Sequence, residues 1–205
     1  MAQKHPPRRW TSIGHDAQHP SDHPPREPGV NLDGPLGEAG LSDPSGTVHG
    51  MAGWQRFCDD APELSAAIRR RFDAHGHKTM ATLRRDGAPR ISGTEVTFRA
   101  GELWLGGMPG SLKCRDLRRD PRVAVHSGSD EPDVWTGDAK VAGVAVEVTD
   151  EDILASFADG APPGPFHLFR LDLTEAVVVR LGESADHLVI ESWRQGRGLR
   201  RIERR

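Results

Sequence analysis

The 205 residues contain no tyrosine, two cysteines and four lysines against 23 arginines. No apolar run is long enough to cross a membrane as a helix. The N-terminus carries Arg and His without an apolar core, which excludes a secretory signal of the usual kind. Cys58 and Cys114 are far apart and belong to no C-x-x-C pattern, so they read as free thiols in a reducing cytoplasm. Zinc needs more ligands at tighter spacing, and no metal site is expected. A net charge of −3 gives no case for nucleic acid as a partner.

What is present divides the chain in two. Residues 1–50 are rich in proline and glycine and lack aliphatic periodicity, so they are expected to be disordered. His15, His19 and His23 recur every four residues, but Pro20, Pro24 and Pro25 break the helix that would align them as metal ligands. Residues 51–205 read as the globular part, self-sufficient from Met51. A helix is expected over 61–74, capped by Asp60, with Pro62 in its first turn and Leu64, Ala67, Ile68 and Phe72 on one face.

Strands are then expected over 77–84, 89–98, 102–106, 122–127, 134–148, 166–181 and 188–193. Asp86-Gly87 is a hairpin signal between the first two. Gly137 and Gly143 permit bulges in the long fifth strand. Asp150 caps a short helix to residue 157, residues 161–165 form a loop, and the basic tail 194–205 is expected to fray. Consecutive antiparallel strands at this spacing favour a closed or nearly closed small barrel.

The chemistry concentrates in 103–125, LWLGGMPGSLKCRDLRRDPRVAV. Leu103 to Leu105 form a strand, Gly106, Gly107, Pro109 and Gly110 break it, and Ser111 caps a helix running to Arg119, stopped by Asp120-Pro121. This corner offers an anion a serine hydroxyl, unpaired backbone N–H groups and the ammonium of Lys113. The plainer reading of Lys113, Arg115, Arg118 and Arg119 is a solvated helix face.

The stretches ATLRRDGAPRISGTEVTFRAGELWLGG and SLKCRDLRRDPRVAV resemble the pyridoxamine 5′-phosphate oxidase-like superfamily of flavin-binding split β-barrels. The shared features are the Asp-Gly hairpin with x-Pro-Arg, the strand Gly-Glu-Leu-Trp-Leu, and the S-x-K-x-x-x-L-x-x-x-P-R helix leading into a strand. The match covers residues 75–150. It implies a mainly β (α+β) fold: a six-stranded antiparallel split β-barrel with two to three short helices, forming a homodimer with two cofactor sites at the interface. The usual cofactor is FMN. An actinobacterial branch uses the deazaflavin coenzyme F-420, and a few members bind haem. The Arg-rich, Lys-poor composition suits a high-GC genome and keeps that branch in view.

By the same resemblance, Ser111 and Lys113 grip the cofactor phosphate. Arg90, Ile91, Ser92, Gly93 and Thr94 border the ring system and ribityl chain, and Trp104, Leu105 and Gly106 pass beside it. For Arg90 to Thr94 the alternative is ordinary sheet packing, and Trp104 reads equally well as core. A glycine inside a strand, as at Gly93, often marks close approach by a ligand.

The departures bear on the substrate. By the same resemblance, Leu112 stands where the family's namesake oxidase has a basic residue. Its C-terminal signature is only echoed by Glu191-Ser192-Trp193 and Gly198-Leu199-Arg200-Arg201, with no histidine after Leu199, and the phenol that helps hold its substrate phosphate is absent. Oxidation of pyridoxamine phosphate is therefore not expected. The expected function is flavin- or deazaflavin-dependent hydride transfer to or from another small organic molecule. The alternatives are a protein of the same fold that holds FMN, deazaflavin or haem without turnover, and a cofactor-free scaffold. No catalytic residue is assigned. His126 and His167, at strand ends, are the candidates for an axial haem ligand, although a lone histidine is more often structural.

Overall fold

The computed structural model describes residues 53–158 and 164–205. The expected disorder of 1–50, the His15/His19/His23 series and most of the 161–165 loop lie outside them.

Two helices open the described chain. α1 spans Trp54–Asp60 and α2 Pro62–Asp73. α1 was not foreseen, and it displaces the expected cap. Asp60 ends α1 and pairs with Arg56 at 3.1 Å, while Ala61 takes the cap position of α2 with Pro62 at its first turn, where a missing N–H is harmless. Trp54 and Phe57 are buried. Phe57 lies 5.0 Å from the Trp193 ring, and Trp54 meets Phe98 edge-on at 4.5 Å. These aromatic contacts seat a helix too short to hold itself.

Nine strands follow in one antiparallel sheet: β1 (Lys78–Leu83), β2 (Pro89–Thr94), β3 (Val96–Arg99), β4 (Glu102–Gly107), β5 (Arg122–His126), β6 (Gly137–Glu147), β7 (His167–Leu181), β8 (Leu188–Arg194) and β9 (Gly198–Arg204). α3 (Leu112–Arg119) sits between β4 and β5, and α4 (Glu151–Ala158) between β6 and β7. The main path is β2-β1-β5-β6-β7-β4-β3. Its two ends, β2 and β3, are separated in sequence by Glu95 alone. The sheet must therefore curl until its ends lie side by side, yet no ladder joins β2 to β3 or β4. The barrel is split, not closed.

Two further differences and one agreement have local causes. The single strand expected over 89–98 breaks at Glu95, because β2 pairs with β1 and β3 with β4. The bulge foreseen at Gly143 is present, between Ala142 and Gly143. A Cβ at Gly143 would lie 2.0 Å from the carbonyl oxygen of Asp172, so only glycine permits that approach. The tail does not fray. Gly196 (φ 73°) and Gly198 (φ 70°) turn the chain back, and β9 pairs with β8 along its whole length, with Ile202 opposite Ile190 and Arg201 opposite Glu191.

The core gathers the inward side chains of the sheet and the apolar faces of α1 and α2. Phe57, Ile68, Phe72, Met80, Leu103, Leu105, Phe169, Leu171, Leu173 and Trp193 are all at most 1% exposed. No helix among the described residues is long and apolar enough to cross a membrane.

Candidate functional site

A cleft of about 770 Å³ opens along the split. That lies within the roughly 300–1,000 Å³ typical of small-molecule and cofactor sites. One end is formed by Gly93 and Thr94 of β2, Gly106 and Gly107 of β4, and Met108, Pro109, Ser111 and Lys113 of the corner. Ser111 caps α3, its hydroxyl accepting from the Cys114 N–H at 3.4 Å. The first-turn N–H groups of a helix have no intrahelical partner and carry the positive end of its dipole. Lys113 Nζ donates to the Gly93 carbonyl at 2.8 Å, which leaves two of its three N–H groups for a ligand. This end therefore presents a hydroxyl, free helix N–H groups and an ammonium to the cleft.

The glycines of this end do different work. Gly107 is pressed against α3, and a Cβ there would lie 2.2 Å from Cys114 Sγ. A Cβ at Gly93 or Gly106 would meet no protein atom within 4 Å. Their missing side chains leave open space in the cleft.

A second part of the cleft is aromatic. Trp104, Phe157, Pro165, Phe166 and Leu168 line it, with Thr97, Arg99 and Ser156. Trp104 lies 5.1 Å from the Phe157 ring and donates its indole N–H to the Arg99 carbonyl at 2.9 Å. The Arg99 guanidinium lies 4.8 Å over the other part of this pair, the Phe157 ring, and donates to the Ser156 carbonyl. Thus α4, which has no buried residue of its own, is held to the barrel at this wall. His77 and Glu95 complete the lining.

Of the sequence-derived candidates, Gly93, Thr94, Trp104, Gly106, Ser111 and Lys113 come together here. Arg90, Ile91, Ser92 and Leu105 do not line the cleft. Leu105 is 1% exposed because strand alternation sends Leu103 and Leu105 into the core and Trp104 and Gly106 to the cleft. Ile91 is 69% exposed. Arg90 turns instead to the buried Asp116 of α3, with Nε 2.5 Å from its carboxylate. His126 contacts the Ser127 carbonyl at 2.7 Å and His167 the Glu147 carboxylate at 2.8 Å. Neither histidine lines the cleft.

Sequence reasoning missed the aromatic wall. Phe157 and Phe166 lie more than fifty residues beyond Trp104, and only the β4–β7 pairing, Gly106 opposite Leu168, brings them near. Among the described residues no group of three His, Cys, Asp or Glu side chains is placed to hold a metal ion.

A curled antiparallel sheet, split along a cleft with a lysine and a helix N-terminus at one end, defines a split-barrel fold. Residues 64–180, more than half the chain, match the model of the pyridoxamine 5′-phosphate oxidase family, and the chain belongs to that family. A solved structure agrees on the fold. PhzG from Burkholderia lata 383, in complex with tetrahydrophenazine-1-carboxylic acid, is 15% identical over 72% of this chain and 95% of its own, with a TM-score of 0.50. A pyridoxamine 5′-phosphate oxidase-related, FMN binding protein from Nostoc punctiforme PCC 73102 is 14% identical over 68% and 94%, with a TM-score of 0.49. A heme binding protein from Mycobacterium smegmatis is 16% identical over 68% and 87%, with a TM-score of 0.44. At 15% identity the likeness to PhzG is one of fold. No protein of curated function matches the sequence.

Proposed function

We propose that the chain binds FMN or the deazaflavin coenzyme in this cleft and acts as an oxidoreductase on a small organic molecule other than pyridoxamine phosphate. The observation that carries the proposal is the convergence of Ser111, the first turn of α3 and Lys113 on the open glycines Gly93 and Gly106. When bound, either cofactor supplies the hydride chemistry. The chain's own part is to hold and shield. Lys113 and the α3 N–H groups meet the phosphate with charge-assisted hydrogen bonds. Gly93 and Gly106 leave room for a flat ring, and Trp104, Phe157 and Phe166 wall the far end against water. No side chain of the cleft is assigned to proton transfer.

The proposed assembly is a homodimer with the cleft at its interface. Ile91, Met108 and Leu112, exposed by 69%, 66% and 53%, are close in sequence to Gly93, Ser111 and Lys113, and exposed apolar patches commonly mark association surfaces. The proposed setting is the cytoplasm, where the free Cys58 and Cys114 persist as thiols.

The test is a fluorescence titration of purified protein with FMN and, separately, with the deazaflavin coenzyme. Saturable binding of one supports the reading and names the reductants to try. Binding of neither overturns it. Tight binding with no turnover against any reductant pair would favour a holding protein.

A further inference from the structure

β2 and α3 are tied at two points, three residues apart on each element. Lys113 Nζ donates to the Gly93 carbonyl at 2.8 Å, and Arg90 Nε donates to Asp116 Oδ2 at 2.5 Å. Lys113 and Asp116, at i and i+3, lie on neighbouring positions of one helix face. Asp116 is only 3% exposed, and its carboxylate also receives Thr82 Oγ1 of β1 at 3.0 Å and Arg119 Nη2 at 3.1 Å. Arg119 donates in turn to the Leu83 carbonyl of β1. A buried carboxylate is tolerated only when paired and hydrogen-bonded. Burial by itself pushes this carboxyl up. The hydrogen bonds from Arg90, Thr82 and Arg119 outweigh that effect and hold it below the ordinary carboxylate range, so the charge is present at neutral pH.

Apolar contacts already press α3 on the sheet through Cys114 and Leu117, 2% and 3% exposed. Such contacts are non-directional and fix a distance better than a rotation. Asp116 supplies the direction, since its two oxygens face donors from β1, β2 and α3 at once. A small roll of α3 would break these bonds and swing Lys113 from Gly93, and displacements of about 1 Å are enough to impair a site.

We propose that Asp116 is a positioning residue for the anionic group of the cofactor: by locking α3 to β1 and β2 at one end of the seam, it sets Ser111 and Lys113 against Gly93 at the other. This rests on the proposed anchoring of phosphate by Ser111 and Lys113. Arg90 then serves the site through Asp116 and not by touching the ligand.

The experiment compares FMN with riboflavin, which has the same ring and ribityl chain without the phosphate, on full-length wild type and Asp116→Asn. If the wild type selects the deazaflavin coenzyme, that coenzyme and its phosphate-free fragment replace the pair. The preference for the phosphorylated ligand should fall on the order of tenfold in Asp116→Asn, as for other losses of an orienting partner, while riboflavin affinity is kept. A general loss of packing would weaken both ligands alike and leave the ratio unmoved, and that result in a folded variant overturns the assignment. A wild type with no preference for FMN or the deazaflavin coenzyme over its phosphate-free form overturns the anchoring reading itself. Should Asp116→Asn fail to fold, Thr82→Val removes one donor to Asp116 from outside the cleft, and the ratio must again fall. An unchanged ratio there sinks the proposal.

Discussion

The two ends of the cleft are built in different ways. At the anion end the parts are near one another in sequence: Gly106, Gly107, Ser111 and Lys113 fall within eight residues, and Gly93 joins them through one hydrogen bond. At the aromatic end the parts come from β3, β4, α4 and the start of β7, and meet only because β7, β4 and β3 are neighbours in the sheet. The anion end is polar, directional and referred to a buried carboxylate. The aromatic end is a packed wall, in which Trp104 is 7% exposed and so belongs to the core and the cleft together. A ligand gripped by its charge at one end and enclosed by rings at the other needs both constructions, and each fails in its own way when altered.

Stability separates the two ends most strongly. Trp104→Ala should destabilise the fold by about 3–5 kcal/mol, as for other buried large-to-small changes, seen as a lower urea midpoint with an unchanged slope. Phe157→Ala, on a helix with no buried residue, should cost distinctly less. Equal losses would mean that α4, and not the barrel, carries the wall.

The neighbouring glycines sharpen the contrast within the anion end. Gly107→Ala places a methyl 2.2 Å from Cys114 Sγ and should destabilise by about 1–3 kcal/mol, the usual range for overpacking. Gly106→Ala meets nothing within 4 Å. Its stability should stay within about 0.5 kcal/mol of wild type while cofactor affinity falls. Thermal melts of the two variants with matched titrations check both statements, and a stable Gly107→Ala would show that α3 is free to shift.

Ser111→Ala should cost about 1 kcal/mol of stability through the lost cap, a difference that chemical denaturation resolves. The smallest effect is in acid. Asp116 is held below its ordinary value of 3.8, so on acidification the unfolded chain takes up its proton first. The stability it contributes is complete above about pH 4 and is lost as pH falls through the lower, folded value. Below about pH 4 the stability of Asp116→Asn should therefore fall less steeply than that of wild type. Parallel curves would remove Asp116 from the acid response.

This division also marks what could be read in the sequence. Ser111 as cap, the α3 boundaries and the place of Lys113 in the first turn of α3 were legible because N-caps, glycine breaks and a pre-proline stop are local signals. The Gly143 bulge and the Asp86-Gly87 hairpin were legible for the same reason. Arg90 was read as facing a ligand because nothing local reveals Asp116, twenty-six residues on, as its partner. Phe157 was read only as the end of a short helix, and its place in the wall depends on β7 lying beside β4. α1 was missed because a seven-residue helix is set by burial of Trp54 and Phe57, not by propensity. β9 was missed because its arginines look like a solvated tail until Gly196 and Gly198 fold it back on Glu191.

The most direct test of the account is the affinity of Lys113→Ala for FMN and for the deazaflavin coenzyme, measured beside wild type by fluorescence titration with the fold checked by circular dichroism. The account predicts that the cofactor bound by wild type is lost by about 1.5–3 kcal/mol, the worth of a charge-assisted hydrogen bond, with the melting temperature unchanged. An equally stable variant that binds as tightly as wild type would contradict it, and the anion end of the cleft would then hold no phosphate.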